Sequence, residues 1–76
     1  MKEFVEFVIK TLVEHPESIR ISEIQGRHSI VLEVRCHSED MGRVIGKSGK
    51  TIGAVRALLS SIAARQGLKA TLEVVE

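Results

Sequence analysis

Residues 44–52 of this chain read Val-Ile-Gly-Lys-Ser-Gly-Lys-Thr-Ile. An aliphatic pair leads into two glycines, Gly46 and Gly49, and an apolar pattern with helical spacing follows at once. Glycine carries no Cβ and adopts positive φ at little cost, so the main chain there can come close to a ligand. Two lysines and a hydroxyl stand beside backbone amides at a helix start, where anions bind favourably. The segment therefore predicts an anion site, and we take the anion to be a phosphodiester backbone.

The same segment ends like a phosphate-binding P-loop, so nucleotide hydrolysis is the first alternative. That motif has four residues between its first glycine and the Gly-Lys-Ser/Thr. Only three separate Gly42 from Gly46, and the position five before Gly49 is Val44. Residues 38–41 also read as a helix start, whereas a P-loop follows a strand. Spacing and context both argue against a nucleotide hydrolase.

The composition is that of one small folded domain, residues 1–76. Hydrophobic residues make up 43% of the 76 and charged residues 28%, which does not suggest disorder. No apolar run approaches the roughly 18 residues of a membrane span, and no leader with a cleavage site is recognisable. We therefore expect a cytoplasmic protein that does not contact a membrane.

Charge is divided unevenly along the chain. Residues 1–40 contain five lysines and arginines against eight acids, whereas residues 41–76 contain six against two. No acid occurs between Asp40 and Glu73. The second half is a candidate surface for a polyanion, although charge alone fits an ordinary solvated face equally well. The glycine loop inside that half favours the polyanion.

No catalytic or metal-binding constellation is recognisable. The single cysteine, Cys36, cannot form an internal disulfide and is expected as a small buried residue of a strand. His15, His28 and His37 fall near element ends and share no face, so we expect three separate surface residues. The chain has no Cys/His cluster with ligand spacing, no nucleophile–base pair and no paired carboxylates. We expect no enzymatic activity, no cofactor, no metal and no small-molecule substrate.

Residues 2–14 read as an amphipathic helix that ends at His15-Pro16, because the residue before proline leaves the α region. Its apolar stripe consists of Phe4, Val5, Val8, Ile9, Leu12 and Val13. Phe7 falls at the edge of the stripe, where we expect the rim of the core, with a partner contact left open.

A strand pair follows. Ile19, Ile21 and Ile24 indicate a short strand, and residues 25–28 have the composition of a tight connection. From residue 30 to residue 37 apolar and polar side chains alternate, which predicts a second strand with one face buried. Its buried positions are Ile30, Leu32, Val34 and Cys36.

The second half reads as two helices and a strand. Ser38 is the expected N-cap of a short helix that brings Met41, Val44 and Ile45 to the core, with Glu39 and Asp40 in its first turn. A second helix runs from about Lys50 to Gln66 and stops at Gly67. Its buried stripe is Ile52, Val55, Leu59 and Ile62. Residues 69–75 form the last strand, with Ala70, Leu72 and Val74 on one face.

Small residues line the opposite side of that long helix. They are Gly53, Ala57, Ser60 and Ala64. Glycine within a helix costs roughly 1 kcal/mol relative to alanine, so Gly53 calls for an explanation. A nucleic-acid backbone passing close by, a second helix packed on the stripe, and plain exposure to solvent are three open interpretations.

The element order is therefore α-β-β-α-α-β, an α+β fold with a three-stranded sheet packed against three helices. Val-Ile-Gly-Lys-Ser-Gly-Lys-Thr-Ile between two helices resembles the V-I-G-x-x-G-x-x-I signature of the KH (K homology) domain. The element order is similar to that of type II KH domains along the whole chain. Chain length and the Asp-x-Gly-Arg-Val-Ile-Gly lead-in (residues 40–46) most resemble the KhpA family of bacterial single-KH proteins.

This resemblance implies a single-stranded RNA binder whose Gly-x-x-Gly loop clamps about four nucleotides beside an apolar groove. On this chain the clamp is Gly46, Lys47, Ser48 and Gly49. By motif position Ile45 and Ile52 support the loop and the groove floor.

The residues make independent sense of such binding. Both aromatic residues, Phe4 and Phe7, lie in the first helix, so no ring platform for bases is available. Phosphate contacts can come from Arg43, Lys47 and Lys50, with Arg56 further along the helix. Three such contacts predict a salt slope near −2, from roughly −0.7 per phosphate on single strands. Binding should be weak and tolerant of sequence.

A weak module gains from being doubled. The KhpA resemblance implies self-association or pairing with a second KH protein, KhpB, and a role in RNA regulation (as an RNA chaperone, for instance) touching cell elongation and division. The expected contact is the small stripe (Gly53, Ala57, Ser60, Ala64) with Leu58. A protein-interaction adaptor, whose KH fold serves mainly dimerisation, is the alternative function.

Overall fold

The computed structural model describes residues 1–75 and has the expected element order. The helices and strands are α1 (Lys2–Leu12), β1 (Arg20–Gln25), β2 (Ser29–Arg35), α2 (Met41–Ile45), α3 (Lys50–Arg65) and β3 (Lys69–Val75). Three 3₁₀ turns connect them, at Pro16–Ser18, Ser38–Asp40 and Lys47–Gly49. Within this part of the chain no helix has the length and apolar character needed to cross a membrane. The fold is an α+β arrangement with three helices on a three-stranded sheet, as the resemblance to type II KH domains implies.

The sheet has β2 at its centre. β1 pairs with β2 antiparallel, with Ile21 opposite Val34, and β3 pairs with β2 parallel, with Leu32 opposite Leu72. Parallel neighbours need a crossover connection, which α2 and α3 supply. The crossover formed by α2, the loop and α3 therefore begins at the central strand and ends at the edge strand, so the sheet fixes both of its ends.

The core forms where one face of the sheet meets the helices. Alternate residues of β2 are buried, as the period of two predicted, and Val5 and Ile9 of α1 pack against this face. Val44 of α2 joins the same cluster. The buried residues of α3 are Ile52, Val55, Leu59 and Ala63. Gly67 has a φ of 71° just past α3, so the predicted glycine stop is confirmed.

Two predictions about helix faces are wrong. Phe7 is 71% exposed rather than at the rim of the core, because α1 buries only a narrow stripe against the sheet. Residue 62 is only half-buried, and Ala63 occupies the fully buried position instead, because the buried stripe continues from Leu59 at a step of four rather than three. In addition, α1 ends at Leu12, two residues earlier than expected.

The segment before α2 also differs from the prediction. Ser38 does not cap a helix: the Glu39 N–H donates to Nδ1 of His37 at 3.1 Å, and residues 38–40 form a separate 3₁₀ turn. Cys36 lies just past the end of β2 and is half-buried, with its Sγ 3.4 Å from Sδ of Met41. Burial, and then the negative charge of Asp40, raise the pKa of the Cys36 thiol.

Asp40 is the one charged residue in residues 1–75 that is fully buried. Its Oδ1 accepts the backbone N–H of Glu14 at 3.0 Å, and its Oδ2 accepts that of His15 at 2.9 Å. Arg43 donates to Oδ1 from Nη1 at 3.3 Å. The carboxylate therefore satisfies two N–H groups just after α1 and joins the end of that helix to the start of α2.

Opposing effects act on the Asp40 carboxyl. Burial by itself raises its pKa, but the N–H donors of Glu14 and His15, followed by the charges of His15 and Arg43, outweigh burial and hold the pKa below its ordinary value. A carboxyl whose folded-state pKa is lowered contributes stability above its unfolded pKa. That contribution is lost as the pH falls through the folded-state value.

We predict that Asp40→Asn lowers the melting temperature at pH 7 by roughly 5 to 15 °C, because an amide has one acceptor oxygen and leaves a backbone N–H unsatisfied in the interior. The difference from the unaltered chain should shrink as the pH falls from about 5 towards 2, since the Asp40 carboxylate itself becomes protonated there. Thermal unfolding followed by circular dichroism measures both.

The matched control is Glu23→Gln, which removes a carboxylate from an exposed position of β1. It should leave the melting temperature within about 2 °C at every pH, as for other surface substitutions. An Asp40→Asn variant as stable as this control would show that the buried carboxylate does not join the two helices.

Candidate nucleic-acid interface

The loop after α2 begins with a sharp change of direction at Gly46. Its N–H donates to the carbonyl of Gly42 at 2.8 Å and completes the last turn of α2. Its φ of 79° and ψ of 170° lie in a region that is essentially restricted to glycine. A Cβ at this position would lie 2.8 Å from the backbone N of Thr51 and against that residue's side chain. Both the backbone angles and the packing therefore require glycine here.

The rest of the loop is a single 3₁₀ turn, Lys47–Gly49, that leads directly into α3. Ser48 (φ 56°, ψ 28°) and Gly49 (φ 74°, ψ 13°) are both left-handed. The Gly49 N–H donates to the Gly46 carbonyl at 3.1 Å and closes the turn. A Cβ at Gly49 would meet nothing within 4 Å. The second glycine thus borders open space, whereas the first is packed against α3.

The two central amides of the loop are free. Within the loop no backbone hydrogen bond bridges Gly46. The N–H groups of Lys47 and Ser48 therefore have no acceptor among residues 1–75. A right-handed residue followed by a left-handed one, here Lys47 and Ser48, turns successive N–H groups towards one concavity that suits an anion. The glycines shape the loop, and the residues between them supply its donors.

The four cationic side chains predicted to contact phosphate differ in whether they already have a partner among the described residues. Lys47 and Lys50 are exposed and have no side-chain partner in the described chain. Arg43 is engaged: its Nη2 is 2.9 Å from Oε1 of Glu14, and its Nη1 contacts Asp40 and donates to the Glu39 carbonyl at 3.2 Å.

Arg56 is engaged in part, because its Nε donates to the Leu72 carbonyl at 3.0 Å. The two lysines at the loop are therefore the cations most available to a phosphate.

The two isoleucines of the motif lie at different depths. Ile52 is 4% exposed and belongs to the core cluster, so it supports the loop from below. Ile45 is half-buried and packs against the same cluster. Of the two, Ile45 offers the apolar surface that a base beside the loop can reach.

The small stripe of α3 is accessible throughout. All five residues of the expected contact are exposed: Gly53, Ala57, Leu58, Ser60 and Ala64. A Cβ at Gly53 would meet nothing within 4 Å, so no packing within residues 1–75 explains that glycine.

Sequence reasoning missed the buried carboxylate of Asp40 and a histidine pair. His15 and His37 lie at the surface, as expected, but the sequence did not predict that their rings stack, with centroids 4.1 Å apart. The contact depends on the return of residues 36–40 to the end of α1, which no local pattern indicates. His28 is exposed, as expected.

Comparison with known proteins gives one consistent result. Residues 2–74 match the profile of the KhpA/KhpB KH domain family. The chain is similar to the RNA-binding protein KhpA of Chlamydia pneumoniae, with 47% identity over all of this chain and 97% of that one. It is also similar to the RNA-binding protein KhpA of Clostridium perfringens, with 40% identity over 99% of this chain and all of that one.

Among solved structures, the fold is similar to part of Era in a crystal structure with MgGDPNP and nucleotides 1506–1542 of 16S ribosomal RNA. The TM-score is 0.65 and the sequence identity 23%, over 96% of this chain and 29% of that chain. At this identity the likeness is one of fold.

We predict that the two loop glycines differ sharply in their tolerance of alanine. Gly46→Ala should cost at least about 3 kcal/mol of unfolding free energy, because a restricted φ/ψ region and a clash with Thr51 act together. Gly49→Ala should cost about 1 kcal/mol, the strain of a left-handed alanine alone. Urea unfolding at pH 7 measures both values.

Gly53→Ala is the control, since it adds a Cβ to an exposed helical glycine and should stabilise the chain by up to about 1 kcal/mol. Equal losses for Gly46→Ala and Gly49→Ala would contradict the assignment of different roles to the two glycines.

Proposed function

Because the chain belongs to the KhpA/KhpB family of KH domains, we propose that it binds single-stranded RNA by holding a backbone phosphate at the loop of residues 46–49. The family is one of non-enzymatic RNA-binding proteins. In this proposal residues 1–76 act as one KH domain in the cytoplasm. The observation that carries it is the pair of free N–H groups at Lys47 and Ser48.

Several features of the loop support a phosphate contact. Two adjacent N–H donors of exposed residues have no acceptor within residues 1–75, and the side chains of Lys47 and Lys50 are beside them. Gly49 leaves the side of the loop open, so a sugar–phosphate chain can approach the main chain without meeting a side chain. Donors held by a rigid turn need no reordering when they bind, which lowers the entropic cost of the contact.

Electrostatic attraction in this site is small. Arg43 is committed to Glu14 and Asp40, so we count two phosphate contacts, at Lys47 and Lys50, rather than three. At roughly −0.7 per phosphate the salt slope should be about −1.4. Bases find an aliphatic surface at Ile45 instead of an aromatic platform, so stacking adds little. The result is a weak RNA binder with little preference for sequence.

A binder of this kind gains affinity from a second copy or a second KH module. We propose that the stripe of α3 (Gly53, Ala57, Ser60, Ala64) with Leu58 forms a homodimer, or a heterodimer with a KhpB-like protein. Its exposure, and the lack of any internal contact that explains Gly53, support this use.

In the cell such a module suits an RNA chaperone or post-transcriptional regulator. The link to cell elongation and division rests on the likeness to KhpA.

We predict that Lys47→Asp with Ser48→Asp lowers RNA affinity at least tenfold and leaves the circular dichroism spectrum native. Two carboxylates repel a phosphate, and aspartate tolerates the left-handed angles of position 48. Fluorescence anisotropy with a labelled single-stranded RNA of mixed sequence measures the affinity.

The control is Arg27→Asp with Ser22→Asp, which makes an equivalent charge change at exposed sites in β1 and the turn after it. It should retain most of the affinity. If both double variants lose affinity equally, net charge rather than the loop determines binding.

A salt titration of the same complexes gives a quantitative check. Lys50→Gln should reduce the slope by about 0.7, whereas Arg43→Gln should leave it nearly unchanged. RNA binding that survives the loop change would show that the loop is not the clamp. Capture of a protein partner that survives the loop change, with no RNA enrichment after crosslinking, would favour the adaptor function.

We predict that Ala57→Glu converts the dimer to monomers in sedimentation velocity, because a charged, bulky side chain in the centre of a small-residue contact blocks close approach. Ser22→Glu, which places the same side chain at an exposed position of β1 away from α3, should leave the dimer intact. Dimers that persist in Ala57→Glu would exclude this face of α3 as the contact.

A further inference from the structure

Three side chains with metal-binding atoms meet on the surface between α1 and α2. His15 follows α1, and His37 and Glu39 belong to the segment that leads into α2. One ligand atom from each lies within 4.8 Å of those of the other two. The residues come from segments more than 20 positions apart, so the fold alone brings them together.

The spacing of these atoms is close to that of a metal site. Nε2 of His15 lies 3.4 Å from Oε1 of Glu39, and Nδ1 of His37 lies 3.6 Å from the same oxygen. Ligands of a tetrahedral zinc ion at about 2.1 Å are separated from one another by about 3.4 Å. Two of the three separations therefore already have the length that a shared ion requires.

The histidine nitrogens are also in a suitable state and setting. Nδ1 of His37 accepts the N–H of Glu39, so it carries a lone pair, and when a metal takes that lone pair a water can accept the exposed Glu39 N–H instead. Nδ1 of His15 lies 3.6 Å from Oε1 of Glu17, on the side of the ring away from Glu39. A carboxylate behind a metal-bound imidazole is the usual support that orients the ring and raises its basicity.

The backbone of the cluster is held in place from below. The buried Asp40, next in sequence to Glu39, accepts the His15 N–H at 2.9 Å and fixes the two segments relative to each other. The side chains themselves remain accessible, at 32% for His15, 37% for His37 and 70% for Glu39. An ion can enter directly from solvent.

Ring rotation completes the geometry. The two rings are stacked with 22° between their planes, so their lone pairs run nearly side by side. One imidazole must turn about its Cβ–Cγ bond for both nitrogens to face one ion, and this torsion has a broad minimum in histidine.

We propose that His15, His37 and Glu39 bind one divalent transition-metal ion, with Zn²⁺ as the reference ion and a water in the fourth position. Two imidazoles and a carboxylate select borderline metals such as Zn²⁺, Co²⁺ or Ni²⁺ over Mg²⁺ and Ca²⁺, which prefer oxygen ligands. The bound ion joins the end of α1 to the entry of α2 at the surface, above the junction that Asp40 makes in the interior.

The test uses the full chain without an affinity tag, kept reduced. Isothermal titration with Zn²⁺ should give one ion per chain, and Zn²⁺ in excess should raise the melting temperature by several degrees. Co²⁺ should give visible absorption bands of a tetrahedral site, and Mg²⁺ should produce neither effect.

Substitutions identify the ligands. His15→Asn, His37→Asn and Glu39→Gln should each weaken Zn²⁺ binding at least tenfold and remove the thermal shift, and Glu17→Gln should weaken it less. His28→Asn, the matched control at an exposed histidine outside the cluster, and Cys36→Ser should bind as the unaltered chain does.

Circular dichroism of the metal-free variants checks the fold, which should persist because the Asp40 contacts to residues 14 and 15 use backbone atoms. The proposal is overturned if excess Zn²⁺ produces no thermal shift. It is equally overturned if binding survives both histidine substitutions, or if binding is lost in Cys36→Ser.

Discussion

The structure depends on one buried carboxylate. Asp40 occupies the interior where α1 ends and α2 begins, and its two oxygens accept the N–H groups of Glu14 and His15, which follow α1. An unpaired charge there would be costly, and three donors make it tolerable. The same residue fixes Arg43 and the backbone of His15. This junction positions both the loop after α2 and the histidine cluster.

The loop shows how two identical residues can have different functions. The N–H of Gly46 donates the last hydrogen bond of α2, and Gly46 is packed against Thr51. These two contacts fix the backbone conformation of Gly46. Gly49 has the same sign of φ but open space beside it. Between them, Lys47 and Ser48 present N–H groups that no other part of the described chain uses. The two glycines of the motif therefore differ in their surroundings: Gly46 is packed against the start of α3, whereas Gly49 borders accessible surface.

The sequence predicted every helix and strand. The evidence was clearest for α1, β2 and α3, because each buries one face and the burial repeats with the period of its secondary structure. It failed where a long-range contact decides the outcome. Phe7 was expected at the rim of the core but is exposed, because the sheet reaches only part of α1, and Ser38 was expected to cap a helix although His37 accepts the N–H instead. The contact of His15 with His37 joins positions far apart in the chain, and no periodicity reports on such a pair.

The charge of the loop illustrates the same limit. Sequence counting assigns Arg43, Lys47 and Lys50 to one basic half, but the acidic half folds back onto it and Glu14 and Asp40 neutralise the arginine. Two free lysines give a modest field that falls off within about 10 Å at 0.1 M salt. In the proposed RNA contact, affinity then comes largely from short-range hydrogen bonds of the main chain to a phosphate, a group that every nucleotide carries. A site built on such bonds distinguishes a flexible single strand from a rigid duplex by fit to the loop, and it reads little of the base sequence.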